Sequence, residues 1–223
     1  MIICGLDSSG DDILLGLAEG DRVLGSWQIP ARRRHAELLP QEILRRLEDV
    51  GRTLDDVGSY AIVSGPGSFT GLRVGAATVM GLAAAKHIPV AALTSFEFLY
   101  HVYRDDIRTL GCVIPCRGEL YYWSVFDRAD DRGTPVRVLT LPEIARLVEP
   151  PIRIAEPNVR KLEDELAGQA GVELVGSFPP QAGGLLAVWG HKKIQAGDII
   201  DWNNWHPNYG PAPGFRTWSA PRT

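Results

Sequence analysis

The spacing of apolar residues predicts three strands at the start of the chain. Residues 2–7, 12–19 and 22–29 are short, mainly apolar stretches of strand length. The first is followed by Ser-Ser-Gly and the second by Gly-Asp, and both sequences favour turns. The chain is therefore predicted to open with a meander of three strands.

Helices alternate with strands in the residues that follow. Leu39, Ile43 and Leu47 recur at helical spacing among charged residues, which predicts an amphipathic helix over 36–50. Pro40 is expected in the first turn of this helix, where a missing amide hydrogen costs little. The next predicted elements are a strand at 60–64, a helix at 70–86, a strand at 90–93 and a helix at 95–103. This order predicts an α/β fold in which helices cover a mixed sheet.

The second half repeats this plan in a shorter form. Its predicted strands are 112–115, 120–127, 136–139 and 152–155, and its predicted helices are 142–148, 159–169 and 181–194. Three glycines lie in the last helix, and each costs about 1 kcal/mol relative to alanine. We expect a first lobe at 1–103, a smaller second lobe at 104–200 and an irregular tail at 201–223.

The tail is rich in proline, glycine and aromatic residues, a composition that disfavours regular structure. Its large aromatic residues are Trp202, Trp205, Tyr209 and Trp218. Such rings anchor a segment either to its own domain or to a partner, and packing on the own domain is the favoured alternative.

Composition excludes several classes of protein. The chain has 223 residues, of which 45% are hydrophobic and 22% charged, as in ordinary globular proteins. The net charge of −4 disfavours a strongly basic nucleic-acid surface. The apolar stretch 74–85 is too short to cross a membrane, and the first residues do not have the pattern of a signal peptide. Three cysteines without a CxxC pair are typical of buried thiols in the cytoplasm, where we expect the protein to act.

A glycine-rich segment is the most informative motif. Gly65-Pro66-Gly67-Ser68-Phe69-Thr70-Gly71-Leu72-Arg73-Val74-Gly75 follows a predicted strand and opens a predicted helix, which is a geometry that can receive an anion. The segment matches neither GxGxxG spacing nor the GK[ST] ending of a P-loop. The alternative, that it is a glycine-rich turn capped by Ser68 or Thr70, is equally compatible with these residues.

Two other features are candidates for function. Asp7, Ser8 and Ser9 end the first strand, where they form either a remnant of a nucleotide-binding turn, with Asp7 near a magnesium ion, or a hydrogen-bonded turn. The helix at 70–86 is built largely from glycine and alanine, so another backbone can approach it closely. The approaching backbone belongs either to the sheet of the same chain or to a second subunit. Opposite faces of the helix can contact the two at once.

The sequence resembles the bacterial TsaB (YeaZ) family in residues 1–127. The resemblance is carried by the segment Ser64–Gly75, and is supported by the matching stretches Gly81-Leu82-Ala83, Ile88-Pro89-Val90, Thr94-Ser95-Phe96-Glu97, Arg34–Pro40 and Gly118-Glu119-Leu120-Tyr121. It implies an actin/Hsp70/sugar-kinase-like fold of two ribonuclease-H-like lobes with mixed sheets, the second lobe reduced.

The resemblance also implies a function and partners. TsaB-like proteins are non-catalytic activating subunits in the synthesis of N6-threonylcarbamoyladenosine at tRNA position 37. They bind the catalytic TsaD-like paralogue, and the pair works with the TsaE-like ATPase. Carried over to this chain, the partner contact comprises His35, Leu39, Ile43, Ser68, Phe69, Thr70, Gly71, Leu72, Arg73, Gly75 and Thr78.

No cofactor of its own is expected for this chain, with ATP and metal on the partner subunits. TsaD-like proteins bind metal through two histidines at HxxxH spacing, and the matching positions here are Ser95 and Leu99, which cannot act as imidazole ligands. Contact with tRNA is expected only through the complex, and a homodimer is an alternative state of the free chain. The alternative function is an ATP-dependent small-molecule kinase or phosphotransferase of the same fold.

Three stretches depart from the family pattern. Pro115-Cys116 replaces Asp-Ala before Arg117, and the tail carries Pro207-Asn208-Tyr209-Gly210-Pro211 in place of Pro-x-Tyr-x-Arg. The glycine after Asp7 also lies one position later than in sugar kinases. Autonomous ATP chemistry is therefore disfavoured.

Overall fold

The first half of the chain forms a five-stranded mixed sheet with helices against it. We describe a computed structural model, which covers residues 1–104, 109–127, 133–155, 160–166, 168–201 and 204–212. The elements of this half are β1 (Ile2–Asp7), β2 (Asp12–Glu19), β3 (Arg22–Pro30), α1 (His35–Asp49), a 3-10 turn (Leu54–Asp56), β4 (Val57–Val63), α2 (Phe69–Lys86), β5 (Val90–Leu93) and α3 (Ser95–Tyr103). The strand order is β3-β2-β1-β4-β5. β1 runs antiparallel to β2 and parallel to β4.

The second half forms a sheet with the same topology. Its elements are β6 (Thr109–Pro115), β7 (Tyr121–Phe126), β8 (Arg137–Leu139), α4 (Leu141–Ala145), β9 (Ile152–Ala155), α5 (Arg160–Leu166), β10 (Val172–Val175) and α6 (Ala182–Gln195). Counted from β8, the order β8-β7-β6-β9-β10 repeats that of the first sheet, with β6 antiparallel to β7 and parallel to β9. The predicted two-lobe α/β fold is confirmed, whereas β10 was not predicted from the sequence.

Helix α1 closes one side of the first sheet, as its helical pattern predicts. Leu39, Ile43 and Leu47 are fully buried in the same core as the strand residues of that sheet. Pro40 does not lie in the first turn, because α1 begins at His35 and Pro40 is its sixth residue. The carbonyl that would accept from residue 40 belongs to Ala36, which is exposed and can be solvated by water.

Helix α6 lies on the first sheet, although the sequence places its residues within the 104–200 lobe. It packs across β1, β2, β3 and β4. The approach is close because glycines lie at the contact: Gly183 faces Gly16, so a Cβ atom on Gly183 would contact the backbone of Leu15 and Gly16. A Cβ atom on Gly5 would lie 2.6 Å from the amide nitrogen of Ala187. The glycines that weaken the helix prediction therefore allow the helix to dock on the sheet.

No helix in the described part of the chain is long and apolar enough to cross a membrane.

We predict that Gly183→Ala destabilises the protein by about 2 kcal/mol, because the added methyl group meets backbone atoms that cannot move aside. Gly81→Ala is the matched control, since Gly81 also lies in a helix but has open space around it. That control should stabilise the fold by up to about 1 kcal/mol. Chemical denaturation measures both, and a stabilising Gly183→Ala would contradict the close packing of α6.

Candidate functional site

The glycine-rich segment and the turn after β1 lie against each other at one edge of the first sheet. β1 and β4 are adjacent parallel strands, so the loops that follow them emerge at the same edge. The amide of Ser68 donates to the carbonyl oxygen of Ser9 at 2.7 Å. The hydroxyl of Ser8 donates to the carbonyl oxygen of Gly71 at 2.9 Å, and this bond is buried. The turn and the segment are thus joined by two hydrogen bonds.

Three glycines of the segment are required by this contact. A Cβ atom on Gly67 would lie 2.7 Å from the carbonyl oxygen of Ser9. A Cβ atom on Gly71 would collide with the carbonyl oxygen of Ser8, and one on Gly75 would collide with its hydroxyl. Gly67 and Gly71 therefore make room for the backbone of the turn after β1, and Gly75 makes room for the Ser8 side chain.

Ser68 caps helix α2. Its hydroxyl accepts from the amide of Gly71 at 3.2 Å, and its carbonyl oxygen accepts from the amide of Leu72 at 2.9 Å. Of the two caps that the sequence allows, the structure uses Ser68, while Thr70 is exposed in the first turn. The amides of Ser68, Gly71 and Leu72 are therefore engaged by protein acceptors, so they do not point freely at an anion.

Asp7 lies beneath this contact as a buried acid. The amide of Ser9 donates to Asp7 Oδ1 at 2.8 Å, which makes the residues after β1 a hydrogen-bonded turn. Burial raises the pKa of Asp7, and the bonds from Ser9 together with the neighbouring His35 lower it in part. His35 is also buried, and its Nε2 atom has no hydrogen-bond partner among the described residues.

The residues expected at a partner contact divide into buried and exposed groups. The buried group, which faces the chain's own core, comprises His35, Leu39, Ile43, Gly71, Leu72 and Gly75. Gly75, whose small size suggests a close contact with a partner, instead contacts Ser8. The exposed group comprises Ser68, Phe69, Thr70 and Arg73, and Thr78 is half-buried. Any partner on this face therefore contacts the exposed residues directly, while the buried residues pack beneath them.

An apolar groove runs between α1 and α2. Its volume is about 340 Å3, and it is lined by Pro40, Ile43, Leu44, Leu54, Thr78, Gly81 and Leu82. Leu44 is 46% exposed and lines this groove. The contact residues expected from the sequence include neither Leu44 nor Gly81, although Gly81 lies in the glycine- and alanine-rich helix expected to contact a second subunit. The available signals were a leucine on the polar side of α1 and a glycine one turn after Thr78.

An aromatic cluster lies at the start of α2. Phe69 is 57% exposed, and its ring centroid is 4.9 Å from that of Tyr209 in the tail. The guanidinium carbon of Arg73 lies 5.3 Å from the centroid of the Phe69 ring. We call these three residues the aromatic cluster. It joins the tail to the first turn of α2.

Ser95 and Leu99, which the sequence resemblance matches to metal ligands, have structural roles here. Ser95 donates to the carbonyl oxygen of Pro66 at 2.6 Å, and Leu99 is buried in the second core. Ser95 opens α3, which begins with a capping box in which Thr94 and Glu97 each accept the other's backbone amide. Among the residues that the structure describes, no three His, Cys, Asp or Glu side chains are grouped to hold a metal ion.

Comparisons with known proteins relate the chain to proteins of tRNA threonylcarbamoyladenosine synthesis. The model of the family described as TsaD, tRNA N6-adenosine threonylcarbamoyltransferase, matches residues 29–151, just over half of the chain. The tRNA threonylcarbamoyladenosine biosynthesis protein TsaB of Escherichia coli is 29% identical over 132 residues, which are 53% of this chain and 57% of that protein. The TsaB protein of Bacillus subtilis is 27% identical over 99 residues, 44% of this chain and 43% of that protein. The matches thus span about half the length of these curated relatives.

A solved structure extends the similarity to most of the chain. YeaZ from Pseudomonas aeruginosa superposes with a TM-score of 0.72, covering 93% of this chain and 100% of that one at 24% identity. This similarity shows a common fold across both lobes.

We predict that Asp7→Asn changes how stability depends on pH. Because burial raises the pKa of Asp7, the folded chain holds this proton more tightly than the unfolded chain, so the carboxyl group costs stability as pH rises above its ordinary value of 3.8. The asparagine keeps an acceptor for Ser9 without this cost. Denaturation between about pH 4 and about pH 7 should show the variant gaining stability relative to the parent as pH rises.

Asp11→Asn, which removes a charge from an exposed neighbour, is the control for net charge. If the stability curves of the Asp7 variant and the parent run parallel over this pH range, the buried Asp7 carboxyl group does not cost stability as pH rises.

Proposed function

We propose that this chain, which belongs to the TsaD-type family defined by that model and is similar to TsaB (YeaZ) proteins, is a non-catalytic subunit in tRNA threonylcarbamoyladenosine synthesis. In this proposal it binds a TsaD-like paralogue and holds it in a productive conformation. The paralogue transfers the threonylcarbamoyl group to adenosine 37, with a TsaE-like ATPase as a further component.

The observation that carries this proposal is the apolar groove between α1 and α2. The groove is open to solvent, although it is lined by Leu44 and Leu82 beside Thr78 and Gly81. Exposed apolar surface of this kind marks interaction sites. Gly81 has no heavy atom within 4 Å of a Cβ position, so a partner helix can approach α2 closely there. Because a surface for a paralogue can also pair with itself, a homodimer of the free chain is the alternative occupant.

The chemistry of the site favours a binding subunit over an enzyme. Ser95 and Leu99 replace imidazole ligands, and both are engaged in the chain's own packing. The turn after β1 and the segment after β4 bond to each other through Ser68 and Ser9, where a phosphotransferase would place a phosphate group between them. These features support a scaffold role and disfavour the alternative kinase.

The charge of the chain is consistent with tRNA contact through the complex. A net charge of −4 supplies no excess of cations to neutralise RNA phosphates. In this proposal the partner subunits provide most of the RNA-binding surface.

We predict that Leu44→Asp and Gly81→Leu each weaken binding to the TsaD-like paralogue of the same organism at least about tenfold. The first places a charge in the groove and the second fills it, while Gly81→Leu should also raise helix stability because its position is open. Titration calorimetry with the purified paralogue measures the affinities.

Gln195→Leu is the matched control, because it adds an exposed leucine on α6 rather than in the groove. The assigned interface is wrong if Gly81→Leu is folded and binds as tightly as this control.

The alternative kinase is tested by titrating the isolated chain with ATP and magnesium. We expect no binding at millimolar nucleotide, since the amides of Ser68, Gly71 and Leu72 are already bonded within the protein. Specific binding without a partner would favour the kinase.

A further inference from the structure

The tail segment 205–210 contacts both lobes of the protein. Trp205 is half-buried and packs against the core of the first lobe. Just before it, the amide of Ile200 donates to the carbonyl oxygen of Val90 at 2.9 Å, which ties the chain to β5. The tail is thus anchored to the first lobe before it reaches the glycine-rich segment.

The tail next closes over the start of that segment. The amide of Asn208 donates to the carbonyl oxygen of Ser64 at 2.7 Å. The carbonyl oxygen of Asn208 lies so close to Gly65 that a Cβ atom there would collide with it, and Gly65 has φ +108°. Gly65 therefore has two reasons to be glycine: a backbone conformation that disfavours side chains, and the tail packed on its face.

The following residues reach the second lobe. The hydroxyl of Tyr122, on β7, donates to the carbonyl oxygen of Tyr209 at 2.9 Å. Gly210 has φ +73° and packs on the Tyr122 ring, and its amide donates to Asn208 Oδ1 at 2.9 Å, closing a tight turn. Tyr122 is buried, so this bond lies against the core of the second lobe.

We propose that residues 205–210 form an interlobe strap that joins the two lobes and fixes the conformation of the first turn of α2. Three contacts act together: Asn208 holds Ser64, Tyr122 holds Tyr209, and the Tyr209 ring lies against Phe69. When the strap is released, the bond to Ser64 and the ring on Phe69 are lost together. The inference concerns the isolated chain and does not depend on the proposed function.

Hydrogen exchange on the isolated chain tests this strap. A variant lacking residues 204–223 should exchange the amides of the first turn of α2 about tenfold faster than a control lacking only 213–223, which keeps the strap. Equal exchange in the two folded variants would overturn the proposal.

If the longer deletion fails to fold, a variant that removes a single oxygen atom tests the strap instead. Tyr122→Phe removes only the hydroxyl that holds Tyr209, and Tyr121→Phe, on the opposite face of β7, is its control. We expect the Asn208 amide to exchange several-fold faster in Tyr122→Phe than in the control. No difference between the two variants would show that the strap does not join the lobes.

Discussion

The contact between the turn after β1 and the segment after β4 determines the shape of the candidate site. Ser68 bonds to Ser9, and Ser8 bonds to Gly71, so helix α2 begins directly against the end of β1. A side chain at Gly71 would displace the helix from the sheet. Because Thr78 and Gly81 lie two to three turns farther along the same helix, such a displacement would also move the wall of the groove. A local backbone contact thus sets a surface some distance away.

This contact gives the glycine-rich motif a physical meaning. A glycine-rich loop between a strand and a helix is often read as a ligand cradle, because exposed amides there attract anions. Here the amides of Ser68, Gly71 and Leu72 are bonded to Ser9 and to the capping Ser68, and the space that the glycines leave is filled by the backbone of Ser8 and Ser9 and by the Ser8 side chain. The motif is better understood as a packing device, which is consistent with a binding subunit whose working surface is the groove between α1 and α2.

Much of the fold could be predicted because its local signals are strong. The bounds of β5, α3 and β9 follow directly from prolines, a capping box and apolar runs. β10 was missed because its four residues are half-buried and include a glutamate, so no clear pattern marks it. The position of α6 could not be predicted, since its glycines weaken a helix, and their use becomes clear only when Gly16 is known to lie opposite Gly183.

The glycine-rich motif of the candidate site could be predicted from the sequence, whereas the residues exposed on its surface could not. The family pattern points to Leu39, Ile43 and Gly75, which the structure buries in the chain's own core or turn. Exposure depends on which face of each helix the sheet covers, and a single sequence does not fix this for a helix as uniformly small as α2. Leu44 and Gly81 become visible only once α1 and α2 are side by side.

Reconstitution of the tRNA modification from purified components, with and without this chain, tests its proposed role most directly. The proposed role predicts that the TsaD-like paralogue, supplied with the TsaE-like ATPase, the activated threonylcarbamoyl donor and tRNA, forms threonylcarbamoyladenosine efficiently only when this chain is present. Modification at the same rate without the chain would contradict it, as would modification by the chain in the absence of the paralogue.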